Sequence, residues 1–180
     1  MHLILIGLPG AGKTTVGREV ATRLGWGFVD FDAEISRRQA LSVSEIFAWK
    51  GEPFFRALER ELTEELERGA PRVVSPGGGW VTSAETVRIA RPIATLVYLR
   101  VSPETAVARL GSDLSSRPLL RADPLAAMSK LFGERCRAYE QADVTIDSEL
   151  LTQQGVVDTI VALRSGSGNA HPGDTERGRA

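Results

Sequence analysis

The sequence has one cysteine, Cys136, in 180 residues. No internal disulfide can form, so the fold rests on a packed core, and the chain suits a reducing compartment. Nothing beside Cys136 in the sequence would activate its thiol, which fits a helix-packing residue better than a nucleophile. An excess of charge of one sign is also missing. Lys and Arg number 22 against 23 Asp and Glu, a formal net charge of -1. That balance argues against nucleic acid or a membrane surface as the main partner. No apolar run approaches the ~20 residues of a membrane span. No charged leader with a cleavage site precedes the first apolar stretch. A cytoplasmic protein, active as a monomer, is the expectation. The 42% of hydrophobic residues suffices for the core of one domain of ordinary size.

What the chain does have begins at its seventh residue. Gly7-Leu8-Pro9-Gly10-Ala11-Gly12-Lys13-Thr14 fits G-x-x-x-x-G-K-[ST], the phosphate-binding loop. The apolar run Leu3–Ile6 before it suits a buried strand, and Val16, Val20 and Leu24 after it recur at helical spacing. Glycines let the backbone wrap a phosphate chain with its N–H groups inward, and the helix N-terminus adds a positive dipole end. Gly10, Ala11, Gly12, Lys13, Thr14 and Thr15 are the nucleotide-binding candidates. Lys13 would reach the β- and γ-phosphates, and the Thr14 hydroxyl would ligate Mg²⁺. The loop implies a nucleoside triphosphate and leaves the acceptor open.

Further strands are expected at 27–32, 72–75, 95–99 and 144–146. Helices are expected near 33–38, 43–49, 53–68, 83–91, 103–110, 124–142 and 152–163. In the fourth-spaced set Phe54, Leu58, Leu62 and Leu66 the third helix would show its buried stripe. Alternating strands and helices imply an α/β fold, a parallel sheet covered on both faces, with ligands beyond the C-terminal strand ends. Residues 1–164 form one expected domain. The polar stretch 111–122 is expected to be a mobile lid, and 165–180, which lacks an apolar pattern, a disordered tail.

Several residues could choose the acceptor. Asp30 and Asp32 stand two apart at the expected end of the second strand, where both would face one side. One could support Mg²⁺ and the other take a proton from an attacking hydroxyl; equally, Asp32 could cap a helix. Arg56 has Glu59 three residues on, either as an orienting partner or as an ordinary exposed ion pair. Arg135 falls within the stripe Met128, Phe132, Tyr139, and an inward guanidinium needs an anion, internal or supplied by a substrate carboxylate. Gly77-Gly78-Gly79 offers close backbone approach and N–H donors, where a tight turn of positive φ would need one glycine. Arg117, in the expected lid, could close over a γ-phosphate.

Taken in order, these pieces resemble the shikimate kinases. The resemblance covers residues 3–164. It rests on Gly7–Thr14, Asp30-Phe31-Asp32, Gly51-Glu52-Pro53-Phe54-Phe55-Arg56 with Glu59, Gly77–Gly79, Arg117-Pro118-Leu119-Leu120, and Arg135 with Tyr139. It implies a three-layer α/β/α fold of nucleoside monophosphate kinase type with five parallel strands. It further implies ATP as co-substrate, Mg²⁺ on Thr14 and Asp30, and Lys13, Asp32 and Arg117 as catalytic residues. Asp32, Arg56, Gly77, Gly78, Gly79 and Arg135 would hold shikimate, and Arg109 would stack on adenine. Another small acceptor, such as gluconate or a nucleoside monophosphate, is the alternative within the fold. A non-catalytic module binding ATP and shikimate is the alternative outside catalysis. Pro76 and Trp80 depart from the family pattern, and Trp80, beside the glycines, could narrow the acceptor pocket.

Overall fold

The computed structural model describes residues 1–111 and 123–165. Five strands, β1 His2–Ile6, β2 Gly27–Asp30, β3 Arg72–Ser75, β4 Ala94–Arg100 and β5 Val144–Asp147, form one sheet in the order β2-β3-β1-β4-β5. All four pairings are parallel, with Leu3 opposite both Val73 and Thr95. The helices are α1 Lys13–Leu24, α2 Phe31–Gln39, α3 Val43–Lys50, α4 Glu52–Glu65, α5 Ala84–Ala90, α6 Pro103–Leu110, α7 Pro124–Tyr139 and α8 Gln153–Ser165. They cover both faces, giving the expected three-layer α/β/α architecture. Consistent with that, every residue of β1 is buried, as befits a strand shielded on both sides.

β1 lies at the centre, with β2 and β3 to one side and β4 and β5 to the other. The direction of winding reverses there, where parallel sheets bind ligands. The segment after β1 and the segment after its neighbour β3 therefore emerge side by side. They carry the phosphate loop and the three glycines.

Local chemistry sets the element ends. Ser42 and Glu45 form a reciprocal capping box at α3. Ser83, Ser102 and Asp123 cap α5, α6 and α7. Two expectations need correction. β2 stops at Asp30, whose carboxylate accepts the Ala33 N–H at 3.2 Å and caps α2. Asp32 therefore stands in the first turn of a helix and not on a strand, so the same-face argument from strand spacing does not apply. In α4 the buried positions are Phe55, Glu59, Leu62 and Thr63, while Phe54 is exposed. Arg117, most of the expected lid and nearly all of the expected tail lie outside the described residues.

Candidate active site

The phosphate loop, the start of α2, the turn after β3 and the end of α6 enclose a cavity of about 870 Å³. Its lining includes Gly10–Thr15, Asp30, Asp32, Gly77, Gly78 and Arg109. The loop glycines are there for distinct reasons. Gly12, the N-cap of α1, has φ 89°, a conformation costly for other residues. At Gly10 a Cβ would press on the Ala106 carbonyl of α6, 3.0 Å from its carbon. No side chain caps α1 and no carboxylate lies in its own first turn, so the positive end of that helix faces the cavity, with the Asp30 carboxylate from β2 as the anion at its edge. The Lys13 ammonium donates to the Gly7 and Leu8 carbonyls at 3.0 and 2.9 Å, folded along the loop.

Thr14 Oγ1 donates to Asp30 Oδ2 at 2.8 Å. A hydroxyl and a carboxylate thus meet at the cavity wall. Among the described residues no three His, Cys, Asp or Glu cluster as a metal cage. The pair nevertheless fits Mg²⁺, which takes one or two protein oxygens and fills its octahedron with phosphate oxygens and water.

The three glycines after β3 have no positive φ. Their purpose is room. A Cβ on Gly77 would lie 2.7 Å from Asp32 Oδ1 and 3.2 Å from Glu59 Oε1. One on Gly78 would lie 3.0 Å from Arg135 Nη1 and 3.7 Å from Pro9 Cδ of the phosphate loop. One on Gly79 would lie 2.8 Å from Arg56 Cζ. Each glycine is therefore the floor under one functional side chain, and the turn brings Asp32, Arg135 and Arg56 together in that order. Tyr139, stacked on Tyr98 with ring centroids 5.1 Å apart, donates its hydroxyl to the Gly78 carbonyl at 3.0 Å and pins the middle of the turn.

Arg56 is flanked by two carboxylates. Its Nη1 donates to Glu59 Oε2 at 2.6 Å, and its Nε and Nη2 donate to Glu52 Oε1 at 3.1 and 2.8 Å. The Glu59 side chain is 2% exposed and the Glu52 side chain 62%. Burial pushes the Glu59 carboxyl up to about 7, against the pull of Arg56 and with the push of Asp32. The Arg56–Glu59 pair is thus not the exposed ion pair that spacing also allowed.

Trp80 does not narrow the pocket. It is fully buried, and its indole N–H donates to Thr63 Oγ1 at 3.0 Å. Thr63 in turn donates to the Glu59 carbonyl at 2.7 Å. The indole turns away from the cavity into the core and ties the glycine turn to the α4 segment that carries Arg56 and Glu59.

Arg109 lines the far end of the cavity, donating to Ser148 Oγ at 3.0 Å and to the Ser148 carbonyl at 2.6 Å. Ser148, Glu52 and Thr63 are partners that sequence reasoning missed. Only Glu52 had a usable signal, its i,i+4 spacing to Arg56.

The family model for shikimate kinase matches residues 9–164. The chain is 43% identical over 158 residues to the shikimate kinase of Thermobifida fusca, across 87% of this chain and 91% of that one. It is 41% identical over 148 residues to that of Moorella thermoacetica, across 82% and 85%. The structure of a shikimate kinase from Acinetobacter baumannii in complex with shikimate superposes with a TM-score of 0.84 at 32% identity, covering 93% of this chain and 94% of that one. The family model's span takes in Lys13 and Thr14, the glycine turn, Arg56 and Arg135, and the chain belongs to the shikimate kinase family.

Proposed function

We propose that the protein transfers the γ-phosphoryl group of ATP to the 3-hydroxyl of shikimate, giving shikimate 3-phosphate and ADP, a reaction of aromatic amino-acid biosynthesis. The observation that carries this is the contact of Arg135 with Gly78, which also adjoins Pro9. It sets a carboxylate-binding group against the turn that meets the phosphate loop, so a small acid held there has a hydroxyl within reach of a bound γ-phosphate.

The loop N–H groups and Lys13 hold the triphosphate, and Arg109 borders the base. Thr14 and Asp30 would hold Mg²⁺, which would supply charge neutralisation to the transferring phosphoryl group. Asp32 orients the attacking hydroxyl and takes its proton as the new P–O bond forms and the bond to the ADP oxygen breaks. Arg56 and Arg135 grip the shikimate carboxylate, and backbone groups of Gly77–Gly79 border the ring. Arg117, outside the described residues, is assigned the γ-phosphate from its place in the sequence.

Trp80 and Pro76 depart from the family pattern, and a narrowed pocket would favour another acceptor. With Trp80 buried on Thr63, that motive falls away for the larger of the two. Coupled ADP release measured with shikimate, quinate, gluconate and nucleoside monophosphates tests the assignment. Turnover with shikimate well above the rest is expected, and ADP release indifferent to shikimate would overturn it.

A further inference from the structure

Arg56 holds one carboxylate more than its charge requires, and the two differ in kind. Glu59 is sealed beneath it, 2% exposed. Glu52 opens α4, and its side chain is 62% exposed. From there one oxygen, Oε1, spans Nε and Nη2 of Arg56. Those two N–H groups are one of the parallel pairs through which a guanidinium binds a carboxylate. Glu52 therefore occupies donors that an incoming substrate carboxylate would use, and its charge offsets the attraction Arg56 would exert on any anion.

We infer that Glu52 is a displaceable stand-in for the acceptor's carboxylate on Arg56, and that it determines specificity by making simple carboxylates compete for that group. This rests on Arg56 being part of the carboxylate clamp. An exposed i,i+4 ion pair is weak and screened by salt, so a ligand that brings further contacts removes it. Ring hydroxyls at Asp32 supply such contacts to a hydroxylated ring acid. A bare carboxylic acid gains the two arginines but no hydroxyl contact, and must still expel Glu52. Discrimination thus comes from an internal competitor as well as from attraction. Glu59 cannot play this part, because it is buried and has no solvent to move into.

Glu52→Gln, Glu52→Ala and Arg56→Ala in the full chain, with benzoate as the simple carboxylate, test the inference. Glu52→Gln should lower the shikimate KM about three- to tenfold, an effect carried by KM more than by kcat. It should lower the inhibition constant of benzoate by a larger factor, and both gains should shrink in high salt. In an Arg56→Ala background the same substitution should leave the shikimate KM where Arg56→Ala put it. An unchanged or raised KM in Glu52→Gln, alongside a raised KM in Arg56→Ala, overturns the stand-in and leaves the clamp intact. An unchanged KM in Arg56→Ala overturns the clamp itself. Glu52→Ala separates lost charge from an altered helix start, since Gln keeps the side-chain length and Ala does not.

Discussion

Glu59 carries an unusual electrostatic load for one residue. Among the described residues its Oε1 is buried without a hydrogen-bond partner, its Oε2 holds Arg56, and Asp32 adds a second negative charge nearby. Removal from water raises its pKa from 4.5 to about 7. A carboxyl raised in the folded state binds a proton that the unfolded chain has already lost. Its contribution to stability is therefore full below about pH 4.5 and declines as pH rises to about 7. Comparison of thermal midpoints for the wild type and Glu59→Gln between pH 4 and 8 reads this directly. The difference between them should change in favour of the variant as pH rises through that window. A pH-independent difference would mean that Glu59 is charged at both ends of the range. His2 works in the opposite direction. It is buried and neutral, donating from Nε2 to the Leu66 carbonyl and accepting the Arg72 N–H at Nδ1, and its pKa is lowered by burial. The comparison of two variants sharing His2 cancels that contribution.

At the scale of the element, the turn from Gly77 to Gly79 decides the geometry of the acceptor side. Gly79→Ala would drive a Cβ into the Arg56 guanidinium, the movable end of a long side chain. The cost should fall on binding and not on folding. A shikimate KM raised about tenfold or more, with a thermal midpoint within a few degrees of the wild type, is expected; a midpoint lowered well beyond that with an unaltered KM would contradict it. The sequence signalled this turn by its composition, because three glycines exceed what a tight turn requires. It could not signal that each serves a different side chain. The phosphate loop and Arg135 were legible for a related reason. Met128, Phe132, Arg135 and Tyr139 average under four residues per step and stay on one helix face. Phe54, Leu58, Leu62 and Leu66 step by four each time, drifting about 40° per step, and by Phe54 the set has left the buried face. Asp32 was misplaced because a cap overrode a strand pattern: the Ala33 N–H finds the Asp30 carboxylate, and the helix starts at Phe31. The place of Trp80 was not legible because its partner Thr63 lies 17 residues earlier, beyond any local pattern.

The whole molecule is a parallel sheet whose central strand and its neighbour β3 carry the phosphate loop and the glycine turn to one rim. Nucleotide should therefore stabilise the entire fold. At a hundredfold excess over its dissociation constant, MgATP would add about 2.7 kcal/mol, a rise in thermal midpoint of roughly 5–10 °C for a domain of this size. Asp30→Asn keeps a residue able to cap α2 but removes the negative charge beside Thr14. It should shrink the increment that Mg²⁺ adds to ATP alone, and an undiminished increment would remove Asp30 from the metal. The central claim is that the rim opposite the phosphate loop grips a carboxylate on the acceptor ring. It is tested most directly by the ratio of kcat/KM for shikimate to that for its methyl ester, which keeps every ring hydroxyl and loses the charge. Losing the charge-assisted bonds from Arg56 and Arg135 to the ring carboxylate should cost about 2–5 kcal/mol, so a ratio of about 30 or more is expected. Equal turnover of acid and ester would contradict the clamp and the assignment built on it.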